Sequence, residues 1–186
     1  MSTATAARQT ALPVGTWEID PIHSNLGFEV KHFGISTFRG RFTGFEGTIE
    51  TGDEGLARVE GSIDIASVDV QDEKLAGHLA SEDFFDAEHH PKAHFVSTSI
   101  ERSDDGYRLV GDLTLRGQTR PVELDVRIEG IGVDPYGNDR ISLSATGEID
   151  RTDYRIDWNS TLDNGAAVVG ERVGLVITAE AVRKEA

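Results

Sequence analysis

Apolar residues recur at every second position over most of the chain. Val122, Leu124, Val126 and Ile128 alternate with Glu123, Asp125, Arg127 and Glu129, the period of a strand with one dry face and one wet face. The same period runs through Leu26, Phe28, Val30 and His32, and through Leu109, Gly111, Leu113 and Leu115. It returns in Ile141, Leu143, Ala145 and Ile149, and in Val173, Leu175, Ile177, Ala179 and Ala181. Four further strands are predicted at 16–19, 37–51, 56–70 and 94–103. Within 37–51, Gly40, Gly44 and Gly47 and a shift of apolar phase between Phe42 and Phe45 predict bulges. Asp104-Asp105-Gly106 and Arg116-Gly117-Gln118 read as hairpin turns, and Asp134 to Asn138 as a longer one. One-sided alternation marks antiparallel sheet. About nine such strands in one domain predict a barrel or a sandwich.

Residues 72–85 break the two-residue period. Leu75, Ala76 and Leu79 fall at helical spacing, and Ser81 is a candidate cap for a second short turn. Residues 1–13 are small and polar and read as a flexible lead-in.

Barrel and sandwich differ in what they can hold, since a closed barrel of about eight strands leaves room for one small ligand, as lipocalins do. The inward row of such a tube would be Phe28, Val30, Phe45, Ile49, Ile63, Phe95, Leu113, Leu124, Leu143 and Leu175. Either these residues line a lumen, or they fill the barrel as ordinary core. Glycines at inward positions (Gly61, Gly111, Gly147) serve either bends or cavity formation.

Charge and chemistry narrow the function. The chain has 186 residues, with 18 Lys and Arg against 33 Asp and Glu, a formal net charge of −15. Such a surface repels phosphate backbones and anionic headgroups, so neither nucleic acid nor docking on a PS- or PIP-type membrane is expected. There is no cysteine, which removes disulfides, thiolate catalysis and Cys-ligated metals. No stretch reaches the ~18 consecutive apolar residues of a membrane span, and the N-terminus holds no apolar core of a secretory signal. The expected location is therefore cytoplasmic. His90 and His94 lie ~13 Å apart if both are on a strand, too far for one metal ion. His32 is in phase with its apolar row, either as a hydrogen-bonded structural histidine or as a polar group at a lumen mouth. His23 after Asp20-Pro21 reads as a turn anchor. No Gly-x-Ser-x-Gly or His-Glu-x-x-His motif is present. Leu79, Phe84 and Phe85 on the helical insertion are placed to line or plug one end of a tube, and the insertion is a candidate gate.

Several blocks of the chain resemble the YceI-like family. They are Asp20-Pro21-Ile22-His23-Ser24, Phe28 to Gly34, Arg39 to Phe42, His78 to Asp86, Pro91 to Phe95, Gly111 to Val122, and Ile149 to Tyr154. The resemblance covers about 15–182. It implies an all-β fold, an extended eight-stranded antiparallel lipocalin-like barrel with one or two short helices between strands, spanning 14–184 as one domain. It further implies a non-enzymatic binding or carrier protein for a long-chain apolar ligand, namely a polyisoprenoid, an isoprenoid quinone or a fatty-acid-like amphiphile. The site residues expected on that basis are Phe28, Val30, His32, Phe45, Ile49, Ile63, Leu79, Phe84, Phe85, Phe95, Leu113, Leu124, Leu143 and Leu175. No cofactor beyond such a lipid, no metal and a homodimer are expected. A scaffold for stress-related or regulatory interactions and a lipid-modifying enzyme are the alternatives. The chain departs from the family at Leu75-Ala76, where an Arg-Asp pair is common, and at Arg155, where Gly often follows the aromatic.

Overall fold

The computed structural model describes residues 12–163 and 165–185. The expected lead-in, but for its last two residues, lies outside them. The chain forms β1 (Gly15–Ile19), β2 (Asn25–His32), β3 (Ser36–Phe42), β4 (Phe45–Gly52), β5 (Gly55–Asp64) and β6 (Val68–Asp69). An α-helix, α1 (Glu73–Ala80), follows, and then β7 (Lys92–Ser103), β8 (Gly106–Leu115), β9 (Gln118–Val133), β10 (Asp139–Asp150) and β11 (Val169–Arg183). Every pairing is antiparallel, and the sheet closes because β1 pairs with both β4 and β11.

The ring has eight positions although there are more strand segments than that. β11 carries β2 along its first part and β1 along its last, so β1 and β2 share one position. β3 and β4 share the next, pairing with β2 and β1 respectively. β5 and β6 share a third, pairing with β4 and β3. The expected all-β, lipocalin-like barrel is therefore present, with three of its staves broken in the middle.

The breaks have local causes. The 37–51 stretch parts at Thr43-Gly44, where Thr43 N–H donates to the Ser67 carbonyl and the Gly44 carbonyl accepts from Asp64. A side chain at Gly44 would meet Ser67 Cβ at 3.0 Å. The 56–70 stretch is cut by a 3-10 turn at Ile65–Ser67, capped by the Asp64 carboxylate on Ala66 N–H. The helix is shorter than 72–85. Asp72 caps it by accepting from Leu75 N–H at 2.7 Å, and it ends at Ala80, where the Ser81 side chain turns back onto the His78 carbonyl instead of capping a new helix. Residues 81–90 continue as turns. The hairpin at Arg116-Gly117 has both residues at positive φ, 49° and 70°, the mirror-image turn whose twist matches paired strands.

At one end of the barrel β1 brings a large aromatic into the core. Trp17 is fully buried. Its indole N–H donates to Thr51 Oγ1 at 2.9 Å, and Thr51 in turn reaches the Pro13 carbonyl. The Arg183 guanidinium lies over the Trp17 ring. Burying an aromatic side chain of this kind contributes about 2–3 kcal/mol, and Trp17 sits directly across from Ile49 of the lumen wall. At the other end α1, the β8–β9 turn and the β10–β11 connection gather. Arg116 bonds there to the carbonyls of both Glu82 and Arg155. Arg155 carries the left-handed conformation, φ 58°, that a glycine would adopt without strain.

Candidate functional site

Two adjoining cavities occupy the barrel. The upper one, about 250 Å³, lies under α1. The lower one, about 190 Å³, runs toward β1 and the β4–β5 hairpin. They share Phe28, Phe42, Ile63, Leu113 and Leu175 as a waist. Together they exceed the ~300 Å³ at which small-molecule sites begin.

The residues expected from the sequence fall into this double chamber. Val30, His32, Leu79, Phe84 and Phe85 line the upper part. Phe45, Ile49, Phe95, Leu124 and Leu143 line the lower part. Phe28, Ile63, Leu113 and Leu175 belong to both. The pleat explains the assembly: in each pair Phe28↔Leu175, Ile49↔Val59 and Phe95↔Leu113, facing residues point to the same side.

Inward glycines have a more specific role than bends or empty space. A Cβ at Gly111 would meet the Phe95 ring at 2.3 Å, and one at Gly40 would meet the Phe28 ring at 2.3 Å. One at Gly147 would meet Leu124 at 2.7 Å. The glycines let large neighbours lie flat against the wall. At Gly61, opposite Gly47, the wall is backbone and the nearest atom is the Glu46 carbonyl at 2.9 Å.

Both chambers are almost wholly apolar, and the lower one is bordered by Glu46 of β4 and Glu60 of β5. The ionisable side chains of the upper chamber are His32, His78 and Arg151. Arg151 is 5% exposed. Among the described residues its hydrogen bonds go to backbone carbonyls: Gly170 at 2.8 Å, Trp158 at 2.9 Å, Val169 at 3.3 Å, and Ile156. Burial holds its guanidinium below the ordinary value for arginine. This one side chain thus fixes the β10–β11 connection that supplies Ile156, Trp158, Val168 and Val169 to the wall.

The chamber roof is aromatic. His78 on α1 meets Phe84 edge-on at 5.1 Å and Trp158 at 5.2 Å, and Phe84 lies 5.2 Å from Trp158. Phe85 stands edge-on to Phe28 at 6.2 Å and to Phe42 at 5.5 Å. Sequence reasoning missed Trp158, Arg151, Phe38 and Phe42. Phe38 and Phe42 were recoverable from the period of β3, in which Phe38, Gly40 and Phe42 share a face. Trp158 and Arg151 stand outside any strand, and no local period announces them.

Outside the chamber, His23 Nδ1 lies 2.8 Å from Asp20 Oδ2, the turn anchor expected of it. Arg140 ties that same carboxylate to Asp134 and Glu180. His94 lies on β7 and His90 packs against Gly117, so the two do not converge.

A YceI-like domain matches residues 17–181. A UPF0312 protein of Pectobacterium atrosepticum is 36% identical over 165 residues, covering 88% of this chain and 83% of its own. Protein YceI of Escherichia coli O157:H7 is 34% identical with the same coverage. Among solved structures, the YCEI protein of Campylobacter jejuni superposes with a TM-score of 0.71 at 28% identity, covering 89% of this chain and 96% of its own. A polyisoprenoid binding domain from Saccharophagus degradans superposes with a TM-score of 0.66 at 16% identity, covering 92% and 100%. That last likeness is one of fold.

Proposed function

This chain belongs to the YceI-like family, and we propose that it is a non-enzymatic carrier whose barrel holds one long-chain apolar ligand, a polyisoprenoid, isoprenoid quinone or fatty-acid-like amphiphile. The observation that carries the reading is the double chamber: two adjoining apolar cavities inside the barrel, bordered by His32, His78 and Arg151 toward α1 and by Glu46 and Glu60 below. A guest with an acceptor head places its tail toward Ile49 and its head toward His32, His78 and Arg151, away from the Glu46 and Glu60 carboxylates. The polyisoprenoid-binding domain that shares the fold supports the choice of ligand class.

The energetics suffice without hydrogen bonds. About ten methylenes taken from water at ~0.8 kcal/mol each contribute roughly 8 kcal/mol, against which ordering of chain and complex offsets several. A head that finds a donor at the upper end adds to this.

Native mass spectrometry of protein purified from its own host, followed by organic extraction, tests the reading. A co-purified long-chain lipid in one-to-one ratio is the expected result. Ligand-free protein that takes up neither a quinone nor a polyprenol nor a fatty acid would sink it.

A further inference from the structure

A guest that does not dissolve in water must reach the upper chamber from a lipid phase, and the surface around the chamber's opening has an unusual composition. The β2–β3 tip is Phe33-Gly34-Ile35. Phe33 is held at φ 54°, where a bulky residue is uncommon, and its ring stacks on His32 at 3.8 Å. His32 lines the chamber, as does Leu75 of α1. Ile35 is 86% exposed, Phe33 38% and Leu75 36%. The apolar lining therefore continues through Leu75 to solvent, and through His32 to an exposed aromatic and an exposed isoleucine.

Charge sets the same region apart. The chain holds 33 acidic residues, yet none stands between Val30 and Phe45. Arg39 and Arg41 in that segment are paired with Glu29 and Asp69 outside it. Lys31, beside the tip, is exposed and bonds only to Thr37 Oγ1 among the described residues. Lys74, beside Leu75, is exposed and forms no ion pair among the described residues. Two ammonium groups without an ion pair among the described residues thus flank three exposed apolar side chains, Lys74 with the exposed Asp72 and Glu73 as chain neighbours. Apolar groups beneath and lysine stems reaching outward is the arrangement that suits a phospholipid headgroup layer.

We propose that this end of the barrel docks on a phospholipid bilayer. Phe33, Ile35 and Leu75 enter below the phosphates, Lys31 and Lys74 meet the phosphates, and the acidic remainder is repelled so that the opening faces the bilayer. The proposal rests on the barrel being a lipid-binding chamber, and its failure is separable from failure of that reading.

The full chain is mixed with vesicles of phosphatidylcholine containing a minor share of phosphatidylglycerol, and flotation is measured for wild type, Ile35→Ser, Lys31→Glu and the double variant. In parallel, binding of a fluorescent fatty acid delivered from solution is measured without vesicles. Wild type is expected to float, each single variant to float several-fold less, and the double variant to stay in solution, while all four bind the fatty acid alike. Wild type that stays in solution, or variants that float like it, would overturn bilayer docking. Failure of every form to bind the fatty acid would instead overturn the chamber reading. Circular dichroism of the variants, whose altered side chains are exposed, checks that folding is unchanged.

Discussion

The Arg151 guanidinium donates to the Trp158 carbonyl at 2.9 Å, and through that bond a buried cation sets the position of the indole that roofs the chamber. Lysine in its place keeps the charge but presents three donors from one point, and cannot span the carbonyls of Gly170, Ile156, Trp158 and Val169. Arg151→Lys is expected to cost about 2–4 kcal/mol, since each buried carbonyl left unpaired costs ~1–3 kcal/mol. Thermal denaturation should fall by roughly 5–15 °C, and Trp158 emission should shift to the red as the indole gains water. A variant that melts like wild type would show that other contacts hold the β10–β11 connection.

This clamp also marks where the sequence stops being informative. Strand rows such as Val122 to Ile128 predicted their own inward faces, because a period of two survives any arrangement of neighbours. The same rule places Leu124, Leu143 and Leu175 on the inward face of their strands. The three broken staves were less legible. Gly44 and the phase shift at Phe42 announced a defect in β3–β4, but the 3-10 turn inside 56–70 depends on Gly44 lying against Ser67, a contact between segments far apart in the chain. Arg151 and Trp158 were invisible for the same reason: their roles come from tertiary carbonyl partners and from His78 and Phe84, which no local pattern encodes.

Phe84 and Phe85 are adjacent in sequence and do different work. Phe84 is buried against His78 and Trp158, so Phe84→Ala should destabilise the fold by about 3–5 kcal/mol. Phe85 meets Phe28 and Phe42 across the chamber. Losing two aromatic pairs of ~0.5–1.5 kcal/mol each should speed guest release roughly tenfold in stopped-flow displacement. Unchanged release from Phe85→Ala would remove the idea that the 72–85 insertion gates the chamber.

Ala145 is buried on β10 in the wall of the lower chamber, between Val126 and Ile177. Phenylalanine there projects into the 190 Å³ cavity. Excluding only three methylenes of a guest, at ~0.8 kcal/mol each, weakens binding roughly 50-fold. Ala145→Phe should therefore lose long-chain guests while keeping short ones that end at the waist. Equal loss for both lengths, read by titration with a homologous series of fatty acids, would count against a tail-down orientation.

The Asp20 carboxyl is held down at about 2 by the His23 hydrogen bond and the Arg140 guanidinium. Asp134 is likewise held well below the carboxylate range by Asn138 and Arg140. A carboxyl depressed on folding contributes stability that is complete above its unfolded value and disappears as pH falls toward the folded one. The Asp20 contribution should thus fade between pH 3.8 and about 2. Asp20→Asn should be less stable at neutral pH and show a flatter acid limb in that window. A parallel acid limb, followed by circular dichroism, would mean the carboxylate is not engaged in solution.

Tyr154 is buried, and its hydroxyl has no hydrogen-bond partner among the described residues. Burial pushes its ionisation up to about 12 from the ordinary 10.0. Above pH 10 the unfolded chain loses this proton while the folded chain keeps it, so stability present below that pH drains away toward pH 12. Tyr154→Phe removes the unpaired hydroxyl and the ionisation together. It should be more stable than wild type by roughly 1 kcal/mol at neutral pH, and its advantage should widen between pH 10 and 12 in urea denaturation. If the variant is less stable at neutral pH, the hydroxyl is satisfied in solution and the burial argument for its raised ionisation loses its basis.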